Sequence, residues 1–136
     1  IREWVEEKGW ESFRQVEKAV IRGISSWEPG VIALGGGALM DPENREIVKM
    51  NGLIVWLTAD IETIMARMKS DPDNENLRPP FSKGDRESEI QTTIKQRWPL
   101  YKQMADLTVD TKGKTPEAVM EEIYAVTRIK GSDSTA

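Results

Sequence analysis

The run VIALGGGALMDPENRE, residues 31–46, constrains this chain more than any other stretch. A short continuous apolar segment leads into three consecutive glycines and then into a helix start. Glycine packs no side chain and loses the most backbone entropy on folding, so three in a row need a physical reason. A sharp strand-to-helix turn uses one glycine, or two. Three leave a length of bare backbone whose amides can face an oxygen-rich ligand and which no side chain holds at a distance. The apolar run before the glycines predicts a strand covered on both faces. Asp41-Pro42-Glu43 after them supplies an N-cap, a proline at the first helical position and an acid for the helix dipole. In open α/β sheets ligands sit beyond the carboxyl ends of the strands, which is where this run would lie. Neither G-x-x-x-x-G-K-[ST] nor G-x-G-x-x-G occurs in the 136 residues. The glycines alone therefore leave the turn and the ligand readings both open.

The hydrophobic period switches repeatedly along the rest of the chain. Trp4 and Val5, then Phe13, Val16, Val20 and Ile24, recur at helical spacing, which predicts two amphipathic helices broken at Gly9. LIVWL, 53–57, reads as a second buried strand, and Asp60 opens a helix carrying Ile61, Ile64, Met65 and Met68 on its apolar side. Residues 70–84, SDPDNENLRPPFSKG, are polar and lack periodicity, as expected of a lid or a disordered segment, and the lid is the reading carried forward. A helix follows from 86 to about 105, with Pro99 expected to kink it. DLTVD, 106–110, reads as a third strand, and Thr115-Pro116-Glu117 starts a last helix to about Arg128. This alternation predicts an α/β fold, a parallel sheet of three visible strands with helices on both faces. It predicts one domain over 1–130, with helices in 1–27, a core in 28–69, the lid in about 70–84, a C-terminal core in 85–130, and a tail at 131–136.

Composition narrows the chemistry. There is no histidine and no cysteine, which excludes triads built on either, thiolate or imidazole metal sites, and a histidine general base. The net charge of −4 offers no basic face for nucleic acid or an acidic membrane. No apolar run approaches the roughly 20 residues of a membrane span, and no signal-peptide pattern occurs, so a soluble cytoplasmic protein is expected. The first residue is Ile1 rather than Met, so a longer translation product is expected.

What remains is arginine, lysine, carboxylates, hydroxyls and backbone amides. Arg14 follows Phe13 in WESFRQVE, Arg78 lies in NLRPP, and Arg97 sits in KQRWPLY. Each could be an ordinary solvated arginine. Each also stands beside an aromatic or a proline, and arginine is the fork-shaped, permanently charged donor suited to carboxylate and phosphate. Glu17, three residues after Arg14, can orient it.

The order WESFRQVE, VIALGGGAL, LIVWL, LRPP, QRWPLYKQMADLTVDT closely resembles the shikimate kinases, from Ile1 to about Ile123. The motifs are weak singly and highly specific together. The resemblance implies a P-loop kinase fold and transfer of the ATP γ-phosphoryl group to the 3-hydroxyl of shikimate, with Mg²⁺, on the pathway to aromatic amino acids. It implies a monomer in the cytoplasm, or in the plastid of a plant. By matching position, Arg14 and Arg97 would grip the shikimate carboxylate and Glu17 would hold Arg14. Gly35, Gly36 and Gly37 would lie along the substrate ring. Ile1, Val5 and Phe13 match apolar positions around it. Arg78 would close over the transferring phosphate, and Arg67 and Pro116 would bracket adenine. The family's P-loop and its aspartate-bearing second strand have no counterpart here. The expectation is thus the C-terminal part of a shikimate kinase, inactive and prone to self-association without two N-terminal strands and the Mg²⁺ ligands that would accompany them. The alternatives are a non-catalytic module of the same fold, kept for binding or regulation, and a related kinase such as one for gluconate.

Overall fold

The computed structural model describes residues 1–71 and 86–132, the side chains of 86 and 129–132 excepted. Helix α1, Arg2–Arg22, is broken at Gly9, whose φ of 79° and ψ of 165° suit glycine alone. A 3₁₀ turn, Ala38–Met40, follows the glycine run and leads into α2, Pro42–Asn51. Strand β1 is Val55–Thr58, α3 is Ile61–Ser70, and α4 is Arg86–Met104. Strand β2, Leu107–Asp110, precedes α5, Pro116–Ser132.

Local chemistry accounts for most of these boundaries. The Asp41 carboxylate accepts from the Glu43 and Asn44 amides, with Pro42 at the first helical position. Asp60 accepts from the Thr63 amide at 2.7 Å, and Thr115 Oγ1 from the Ala118 amide at 3.2 Å. The long helix α4 continues through Pro99. The lid expected at 70–84 lies, from residue 72 on, outside the described residues, and so do its Arg78 and residues 133–136 of the tail.

β1 and β2 pair in parallel, Val55 opposite Leu107 and Thr58 opposite Asp110. The Asp106 side chain accepts from the Ile54 amide at 2.9 Å where the pairing begins. The sheet has two strands among the described residues, not three. Residues 31–34, expected as a strand, form no regular element and make no ladder bonds; Val31 is fully exposed and Ile32 is 44% exposed. A strand exists only through its ladder partner, and no described segment pairs with this one. For the same reason Leu57 of β1 stays 54% exposed instead of covered.

The main core joins Ile21, Ala38, Leu39, Val48, Ile54 and Met104, with Leu34, Leu100 and Tyr101 packed against it. The glycine run is therefore pinned at both ends, by Leu34 before it and by Ala38 and Leu39 after it.

Candidate active site

The turn after the glycines is locked from below. The Ala38 amide donates to the Gly35 carbonyl at 2.9 Å and the Met40 amide to the Gly37 carbonyl at 3.1 Å. Asn44, buried, donates to the Ala38 carbonyl at 2.9 Å, and Arg45 donates to the Leu39 carbonyl at 3.1 Å. A side-chain amide and a guanidinium thus satisfy carbonyls that a short 3₁₀ turn leaves open.

A lash of charges ties α1 to the start of α2. Lys18 Nζ lies 2.8 Å from Asp41 and 2.9 Å from Glu43, and Arg22 grips both oxygens of Glu43 at 2.6 and 3.1 Å. The hydrogen bonds from Arg22 and then Lys18 pull the Glu43 carboxyl down to about 2. Lys18 likewise lowers Asp41. This network sets the Arg14 face of α1 against the glycines.

On that face Arg14 Nη1 donates to Glu17 Oε2 at 2.5 Å. The guanidinium lies over the rings of Phe13, at 5.3 Å, and Trp10, at 5.6 Å, and the two rings meet edge to face. A Cβ placed on Gly37 would stand 2.6 Å from Arg14 Cζ. One on Gly35 would stand 2.7 Å from Glu17 Oε1, and one on Gly36 would stand 3.0 Å from Arg97 Nη1. The three glycines therefore have a reason besides turning: their missing side chains leave the space that Arg14, Glu17 and Arg97 fill. None of the three has a positive φ. They are glycines for close approach, not for backbone conformation.

Arg97 arrives from α4, and Tyr101 one turn later donates its hydroxyl to the Gly36 carbonyl. Trp56 of β1 packs edge-on against Tyr101 and Trp98, each at 6.2 Å. Of the residues singled out from sequence, Arg14, Glu17, Phe13, Arg97 and the three glycines come together here. Val5 is half-buried on α1, and Ile1, at its start, is 60% exposed. Trp10 and Tyr101 belong to the cluster but were not singled out. Their signal was helical spacing, four residues before Arg14 and four after Arg97.

Arg67 belongs elsewhere, at the carboxyl end of the sheet. Its Nη1 donates to Thr111 Oγ1 at 2.7 Å and its Nη2 to the Thr111 carbonyl at 2.8 Å. Thr111 in turn donates its amide to the Thr58 carbonyl at 2.8 Å. Nearby, Lys112 pairs with Asp60 and holds that carboxyl well below the usual range. Pro116 opens α5 just beyond the Gly113 turn, where φ is 68°.

The family model for shikimate kinase matches residues 1–128. A shikimate kinase of Syntrophus aciditrophicus is 39% identical over 90% of this chain and 67% of its own length. One of Caldicellulosiruptor saccharolyticus is 38% identical over 91% of this chain and 69% of its own. Among solved structures, a shikimate kinase from Acinetobacter baumannii in complex with shikimate superposes with a TM-score of 0.74 at 28% identity, covering 98% of this chain and 71% of that one. A shikimate kinase from Bacteroides thetaiotaomicron, 20% identical with a TM-score of 0.72, shares the fold.

Proposed function

The chain belongs to the shikimate kinase family, and from that premise we propose that it takes part in ATP-dependent phosphorylation of the shikimate 3-hydroxyl, with the Arg14–Arg97 cluster holding the shikimate carboxylate. One observation supports this reading most. Arg14 and Arg97, from helices far apart in sequence, both pack on adjacent glycines, Gly37 and Gly36. Two guanidiniums packed on neighbouring glycines supply the forked, permanently charged donors that suit a carboxylate ligand. Glu17 and the two rings hold Arg14 in one orientation, so little side-chain freedom remains to be lost on binding. Held by its carboxylate, the acid would be turned to present its hydroxyl for in-line transfer, and positioning of this kind supplies much of the catalysis in phosphoryl transfer.

The reading extends to ATP. With both terminal nitrogens tied to Thr111, Arg67 keeps the flat face of its guanidinium for stacking on adenine, with Pro116 on the other side. Arg78, by resemblance the group that meets the transferring phosphate, lies outside the described residues. Mg²⁺, which the family implies, finds no group of three or more ligating side chains among the described residues, and none of them is assigned to it. A monomer in the cytoplasm completes the proposal; no described helix is long and apolar enough to cross a membrane.

The test is Arg14→Lys, in the protein that carries these residues. A point charge cannot make two parallel bonds, and a charge-assisted bond is worth about 1.5–3 kcal/mol, so shikimate affinity should fall roughly ten- to hundredfold. The ATP constant should stay within about twofold, since the loss is local to the acid's carboxylate. Unchanged shikimate affinity would sink the reading. Turnover of gluconate in preference to shikimate would replace it.

A further inference from the structure

We propose that Tyr101 is a positioning residue of the acid-substrate site, fixing the orientation of the Gly36–Gly37 peptide through its hydroxyl; the inference rests on reading Arg14 and Arg97 as the carboxylate grip.

A glycine run is soft. With no Cβ on either side, the Gly36–Gly37 peptide can turn over at little conformational cost. The Tyr101 hydroxyl donates to the Gly36 carbonyl and would stand 3.5 Å from a Cβ on Gly36. The tyrosine is itself held, by the edge-on contact with Trp56 of β1 and by packing against the core that includes Ala38 and Leu39. Because the peptide is planar and trans, the carbonyl of Gly36 and the amide of Gly37 point in opposite directions. Holding the carbonyl on the tyrosine therefore aims the Gly37 N–H away from it.

That N–H donates to no described residue, although Gly37 is buried. Buried backbone donors are nearly always paired, so this one is suited to a ligand acceptor. A flipped peptide would put a carbonyl oxygen where the donor stands, repelling the oxygens of an acid. Arg97 and Tyr101, one turn apart on α4, thus act on the same glycine: the arginine lies against its Cβ position and the tyrosine holds its carbonyl.

The experiment is Tyr101→Phe, which removes the hydroxyl and keeps the ring on Trp56, with Tyr101→Leu as the partner that removes both. A hydrogen bond of ordinary net strength corresponds to about two- to tenfold. Tyr101→Phe should weaken shikimate binding, by calorimetry and by KM, to about that extent. Its ATP constant should match the wild type, and its melting midpoint should stay within about 4 °C, since Gly36 is exposed and water can take up the freed carbonyl. Tyr101→Leu should add a lowered melting midpoint to the same binding loss. Wild-type shikimate affinity in Tyr101→Phe would overturn the inference, as would a parallel loss for ATP and shikimate with a lowered melting midpoint, the mark of a merely structural residue. The two readings fail differently. If the wild-type protein binds no shikimate, the carboxylate grip falls and the inference with it. If the wild type binds, Arg14→Lys weakens it and Tyr101→Phe does not, only the role of Tyr101 falls.

Discussion

Gly37→Ala should separate stability from binding. Gly37 has φ −97° and ψ −6°, a conformation alanine adopts freely. Replacing a glycine at such a site stabilises by about 0.4–1 kcal/mol, because the unfolded chain has less freedom to lose. The new methyl, however, would stand 2.6 Å from Cζ and 2.9 Å from Nη1 of Arg14, with Nη2 nearer still. Contacts to carbon settle at about 3.5–4.0 Å, so the guanidinium must retreat by more than about 1 Å. It is the far end of a flexible side chain, and it can move without disturbing the backbone. Retreat breaks the 2.5 Å pair with Glu17 and the contacts with Phe13 and Trp10. The pair is part-exposed on the Arg14 side, at 32%, which keeps it near the roughly 0–1 kcal/mol of surface pairs; the ring contacts add about 0.5–1 kcal/mol. Gain and loss nearly cancel, so the melting midpoint should move by no more than about 4 °C. Binding has no such offset. An arginine displaced from the carboxylate forfeits about 1.5–3 kcal/mol, a fall of roughly ten- to hundredfold in shikimate affinity. Calorimetric titration with shikimate beside a thermal melt reads both quantities. Wild-type affinity in the alanine variant would refute the assignment of the glycine's space to Arg14. A melting midpoint lowered by some 10 °C or more would refute the claim that the guanidinium yields cheaply.

Glu43 sets an acid limit on the lash between α1 and α2. Its carboxyl is lowered from 4.5 to about 2, so its contribution is complete above about 4.5 and is lost as pH falls through about 2. Melts of wild type and Glu43→Gln should therefore differ most at neutral pH and converge between pH 4.5 and 2; a gap that widens in acid would contradict the pairing. Arg67→Ala should raise the ATP constant by about two- to thirtyfold, the range of a cation–π contact from exposed to desolvated, and leave shikimate affinity within about twofold. An unchanged ATP constant would confine Arg67 to bracing Thr111.

Much of this protein was legible residue by residue, because the forces involved act over a few positions. Asp41, Asp60 and Thr115 announce helix starts through side chains that reach amides two or three residues on. Gly9 announces a break because its φ and ψ are closed to other residues. The apolar runs at LIVWL and DLTVD, with the helices α3 and α4 between them, imply the parallel pairing that β1 and β2 adopt. The types of the site residues, arginine beside aromatic and a row of glycines, were also on the surface of the sequence. What they do to one another was not. Residues 31–34 have strand composition but no described partner, and pairing is a property of two segments, never of one. The contact between Tyr101 and Gly36 spans 65 positions, and no spacing rule reaches that far. That the glycines make room for the protein's own arginines, as well as exposing backbone to a ligand, depends on α1 and α4 converging on one turn. The packing of Ile21, Ala38, Leu39 and Met104, with the Lys18–Arg22 lash, brings about that convergence, and only the folded chain holds those groups together.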